Sequence, residues 1–145
     1  MHTLFWSRVS GPPAVAVAAV RIATGVVFLL IGTGKFADHA SEAADFDRYG
    51  IPLPGAAAYG VGTVEVVAGA LLVAGFLTRP AAGALAFVLV GAIVTAGRVE
   101  GGTFNLGVAP ALLVVVSFLL VVGSGRYAFD ATVDRKVAGS PQGRP

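Results

Sequence analysis

The chain has 145 residues, of which 56% are hydrophobic and 12% charged, with a mean hydropathy of +0.83; soluble domains run at about half apolar and a quarter charged. At about 20 helical residues per crossing of a roughly 30 Å hydrocarbon core, this length holds four or five membrane spans and excludes a separate soluble catalytic domain. A net charge of +2 with scattered basic residues argues against nucleic-acid binding, and the lack of cysteine removes disulfides, thiol relays, iron–sulfur clusters and thiolate metal sites.

After a short segment 1–13, the first span is predicted over Ala14 to Gly34, set off by Gly11-Pro12-Pro13 and interrupted by Arg21 alone. The apolar stretch resumes past Arg21 and reaches full membrane length, so it reads as a retained span rather than a signal peptide. From Lys35 to Gly55 the chain mixes Phe36, Ala40, Ala43, Ala44 and Phe46 with Asp38, His39, Glu42, Asp45, Asp47 and Arg48. That pattern predicts a short amphipathic helix lying on the outer membrane surface, its carboxylates forming the wet face and His39 solvated. The second span is predicted over Ala57 to Leu77, with Glu65 its one charge and Thr78-Arg79-Pro80 its stop.

The third span, Ala81 to Gly97, and the fourth, Asn105 to Gly123, carry no charge, and a polar loop joins them. None of the four alternates as a barrel strand would, so the fold class is all-α, an integral membrane four-helix bundle with an amphipathic outer-loop helix. Its membrane domain is placed at 14–130 and a cytoplasmic tail at 131–145, expected to be disordered past Val137. Arg8, Arg79, Arg126, Arg135, Lys136 and Arg144 fall on the side of the termini, against Lys35, Arg48 and Arg98 on the other. The excess puts both termini in the cytoplasm of a multi-pass cell-membrane protein.

Arg21 and Glu65 are the ionisable side chains well inside the spans. Intramembrane ions are costly, so each is a functional candidate. Counting along the spans leaves an axial gap of about 8 Å between them, which extended side chains on neighbouring antiparallel helices close, and the two are expected to pair. Such a pair either locks the bundle or also holds a polar headgroup. With His2 and His39 the only histidines, a haem or zinc site has almost no material.

Arg21-Ile22-Ala23-Thr24-Gly25-Val26-Val27-Phe28, Gly32 and Lys35, Tyr49-Gly50-Ile51-Pro52, Glu65, Gly75-Phe76-Leu77-Thr78-Arg79 and Gly123-Ser124-Gly125-Arg126-Tyr127-Ala128-Phe129-Asp130 follow in order over about residues 14 to 130. In these elements the chain resembles the DoxX family of small four-helix membrane proteins. That family often carries a histidine near the end of the third span, where this chain reads Thr95-Ala96-Gly97-Arg98. The resemblance implies a redox-associated membrane protein, since some relatives are subunits of a thiosulfate:quinone oxidoreductase and others accompany thiol-stress or detoxification enzymes.

The first expectation is therefore a subunit that binds or docks a quinone for a partner oxidoreductase. Arg21, Phe28 and Glu65 would form the cofactor-binding residues, with the Phe28 ring, two turns from Arg21, stacking on the headgroup. The alternative is a non-enzymatic scaffold that anchors a soluble redox or stress-response enzyme. A transporter fits less well, because four spans offer few polar groups to line a path. Besides the oxidoreductase, the expected partners are membrane lipid and a second copy of the chain.

Overall fold

A computed structural model describes residues 12–124. Most of segment 1–13, and everything after Ser124 including the expected tail, lies outside the described residues. Among the described residues there is no strand.

Helix α1 spans Pro12–Ala37, α2 His39–Arg48, α3 Pro54–Ala74, α4 Thr78–Val94, the single turn α5 Ala96–Val99 and α6 Ala109–Val122, with a π-helical turn Phe104–Val108 leading into α6. Among the described residues, four stretches are long and apolar enough to cross a membrane: Ala14–Ala37, Pro54–Ala74, Thr78–Val99 and Phe104–Val122. The four spans expected from the sequence are present with shifted ends, and so is a helix between the first two.

The shifts have local causes. Hydropathy ends the first span at Gly34, but no breaker follows, and α1 runs on to Ala37 with Lys35 in its last turn, where a cation suits the negative end of the helix dipole. The stop after the second span lies at Gly75-Phe76-Leu77 rather than at Thr78-Arg79-Pro80. Gly75 adopts φ 70°, its N–H donating to the Leu72 carbonyl and that of Phe76 to the Leu71 carbonyl at 3.1 and 3.0 Å. This double closure caps the orphan carbonyls of α3. Pro80 then sits inside the first turn of α4, where a missing N–H costs nothing. Pro54 starts α3 in the same way.

Buried positions of α1 recur at three- and four-residue steps: Ala14, Val17, Ala18, Arg21, Thr24, Gly25, Phe28 and Gly32. This stripe packs along α3, antiparallel to it, while α4 pairs with α6. The two pairs meet chiefly through α3 and α4, and α1 touches α6 only lightly. Lipid supplies no hydrophobic force between helices, so close approach of small residues holds the first pair. A Cβ built on Gly25 would stand 2.7 Å from the Gly69 carbonyl oxygen, and one on Gly32 would stand 2.9 Å from the Glu65 Cβ. Leu72, Leu85, Val116 and Leu119, none more than marginally exposed, fill the space between the pairs.

Candidate functional site

Asp38 caps α2, its carboxylate accepting from the Ser41 N–H at 3.3 Å. From that start, Glu42, Asp45, Phe46 and Tyr49 fall on one face, and that face roofs a cavity of about 390 Å³ at the α2 end of the bundle. The walls are apolar: Phe28 and Ile31 from α1, Val61 from α3, Phe87 and Val88 from α4, and Leu112 from α6. Phe87 and Phe104 line the cavity yet are 82% and 51% exposed, so it reaches the lipid-facing surface beside them. The volume lies in the usual range for small-molecule sites.

The polar end is built around Lys35. Its Nζ donates to Glu42 Oε2 at 3.2 Å and stands 3.8 Å from Glu65 Oε2. Glu65 is 5% exposed, and its Oε2 accepts no hydrogen bond. On the other side of the roof, Arg48 Nη2 donates to Asp45 and to Glu100 Oε1, the latter at 2.9 Å, tying α2 to the chain that follows α5. The carboxylates expected to form a wet face are therefore divided. Glu42 and Asp45 turn inward over the cavity, Asp38 is spent on the cap, and Asp47 alone stays exposed without such a task. His39, expected to be solvated, stacks on Tyr59 with ring centroids 3.6 Å apart.

Tyr49 also faces the cavity. Burial, and then the Glu100 carboxylate beside it, pushes its phenol up to about 12 from an ordinary 10.0. The shift favours the folded state fully below pH 10 and fades as the pH rises toward about 12. Ultraviolet titration of the three tyrosines should show one late-ionising phenol, and Tyr49→Phe should remove that phase. A late phase that survives the substitution would place the perturbed phenol elsewhere.

The expected pair of Arg21 with Glu65 does not form. Gly32 is the residue of α1 that faces Glu65, and Arg21 precedes it by eleven positions, about 16 Å along the axis at ~1.5 Å per residue. Arg21 is fully buried at the opposite end of the bundle and does not line the cavity, whereas Phe28 and Glu65 both do. The ion that reaches Glu65 is Lys35. The signal for it was present: Lys35 lies seven residues after Phe28, on the same face of a helix that only hydropathy had ended too soon.

The family model described as DoxX matches residues 16–98, which take in α2, α3, α4, all but the first four residues of α1 and most of the cavity lining. The chain belongs to the DoxX family. It is 35% identical to the "Uncharacterized membrane protein Rv3486" of Mycobacterium tuberculosis over 90% of each chain. It is 30% identical to the "Putative oxidoreductase CatD" of Bacillus subtilis over 79% of this chain and 84% of that relative. No solved structure is a significant match. Within this DoxX chain, Thr95 and Ala96 at the end of the third span stand on the cavity wall.

Proposed function

We propose that this DoxX protein binds the ring headgroup of a lipid-soluble redox carrier, of the quinone class, in the cavity beneath α2 and presents it to a partner oxidoreductase. The observation that carries the reading is the meeting of an apolar chamber with a buried carboxylate, Glu65, whose Oε2 accepts no hydrogen bond. The residues present fit such a group. Phe28, Ile31 and Leu112 offer a surface for a flat ring, the opening beside Phe87 and Phe104 offers passage for an isoprenoid tail, and Glu65 with Lys35 offers hydrogen bonds to a ring oxygen. The carrier, when bound, supplies the two-electron chemistry for which the chain has no centre of its own. Glu65 and Lys35 orient the ring oxygen, and Glu42, partly exposed beyond Lys35, links the pair to the outer medium. The oxidoreductase wording in the name of the Bacillus relative supports a redox setting.

Organic extraction of the purified protein followed by mass spectrometry should yield a retained quinone. A short-chain naphthoquinone should bind at least tenfold more weakly after Phe28→Ala. Recovery of phospholipid alone, with no quinone binding, would favour the scaffold reading.

The same reading places both termini in the cytoplasm and the cavity at the outer leaflet. Alkaline phosphatase fused after Gly50 should be active and the same enzyme fused after Val137 inactive; the reverse pattern would invert the site with respect to the membrane.

A further inference from the structure

Resting on that reading, we infer that the cavity selects the reduced, dihydroxy form of its aromatic ligand over the oxidised, dicarbonyl form. The selection follows from an inventory of donors and acceptors at its polar end. Acceptors are in excess: the carboxylates of Glu42, Asp45, Glu65 and Glu100 all belong to the lining. Two cations among the described residues stand near them, Lys35 and Arg48, and each already faces two carboxylates. Lys35 Nζ is held between Glu42 and Glu65, and Arg48 Nη2 between Asp45 and Glu100. The Tyr49 phenol lies against Glu100 and the Thr95 hydroxyl donates to the Gly91 carbonyl at 2.8 Å, which leaves the Asn105 amide as the remaining neutral side-chain donor on the wall.

Glu65 decides the balance. It is 5% exposed, lies on the cavity wall, and its Oε2 accepts no hydrogen bond, the Lys35 ammonium being too distant at 3.8 Å. A buried carboxylate in that condition is short of a donor. A dihydroxy ring brings an O–H to it, and a hydrogen bond to a charged acceptor is roughly twice as strong as a neutral one. A dicarbonyl ring brings only lone pairs, which face the carboxylate repulsively and leave it unsatisfied. An aromatic ring with methoxy groups in place of the hydroxyls has the same deficiency and cannot change oxidation state, so it separates hydrogen bonding from redox state.

The experiment measures dissociation constants of the full-length protein in detergent micelles for three probes of one ring system: a short-chain naphthoquinol kept reduced, the corresponding naphthoquinone, and the dimethyl ether of the quinol. With no cysteine in the chain, the reductant has no disulfide to attack. The quinol should bind at least tenfold more tightly than either of the others. Glu65→Gln, which replaces one carboxylate oxygen by a donor at nearly constant shape, should abolish that preference. Equal affinity for all three probes, or preference for the quinone, would overturn the selectivity while leaving a ring-binding cavity in place. Binding of none would overturn the selectivity together with the ligand reading on which it rests. If the Gln variant does not fold, the ether comparison on the unaltered protein still decides.

Discussion

Lys35→Met should destabilise the protein by about 3 kcal/mol, and adding Glu65→Gln should restore a good part of the loss. The side chain of Lys35 is 14% exposed and that of Glu65 6%, so neither is well solvated and each depends on the other. Removing the ammonium strands a buried carboxylate, which must either take up a proton or open the bundle to water. Converting that carboxylate to an amide removes the stranded charge. Glu42 contributes less, because its side chain is 31% exposed and water can replace the lysine. Unfolding in denaturing detergent, followed by circular dichroism across the double-mutant cycle, measures the coupling. The same cycle on Arg21 and Glu65 should be additive, since the two lie about 16 Å apart along the bundle. Additivity of Lys35 with Glu65 would remove the ion pair from the account of stability.

The second large effect is expected at the contact of α1 with α3. Gly25→Ala and Gly69→Ala should each cost about 2 kcal/mol, the scale of overpacking in a filled interior. The added methyl on Gly25 meets backbone, the Gly69 carbonyl at 2.7 Å and the Val73 nitrogen at 2.9 Å, and on Gly69 it meets the Gly25 carbonyl at 2.8 Å. Backbone cannot swing aside as a side chain would, so the helices must separate along their whole contact. Gly60 gives the control on the same helix, because nothing lies within 4 Å of its Cβ position. Gly60→Ala should be neutral or stabilising by up to about 1 kcal/mol through helix propensity. The same unfolding assay checks all three. Equal effects at Gly60 and Gly69 would mean that propensity, not close approach, governs these positions.

Spans, helix count and the short helix α2 were legible in the sequence because each rests on composition and period over ten or more residues. The partners of single ions were not. Axial arithmetic from hydropathy edges gave Arg21 and Glu65 a gap of about 8 Å; the helices are set instead by Gly25 against Gly69 and by Gly32 against Gly62 and Glu65, which moves the register by several residues. Both Gly pairs stood in the sequence among many other glycines, and only packing distinguishes them from Gly83 or Gly91, which make no such contact. The inward turn of Glu42 and Asp45 was likewise hidden. An acidic helix face reads as solvated until it is known that a cavity lies under it. Phe28 and Glu65, which line the cavity, were singled out by rules that hold wherever the helices dock, namely helical spacing and the rarity of buried ions.

The two glycine contacts on α1 are seven residues apart, and so are their counterparts Gly62 and Gly69 on α3. Two fixed points of that kind act as a ruler. One residue inserted between Gly25 and Gly32 would rotate everything after it by about 100° and advance it by about 1.5 Å, turning Gly32 and Lys35 away from α3 together. The segment between α2 and α3, past Ile51, is held by no close helix-to-helix contact of that kind and can absorb added length. Length variation among descendants of this chain should therefore gather at the roof of the cavity, where it reshapes what may enter, and be purged from the helix pair that supports it.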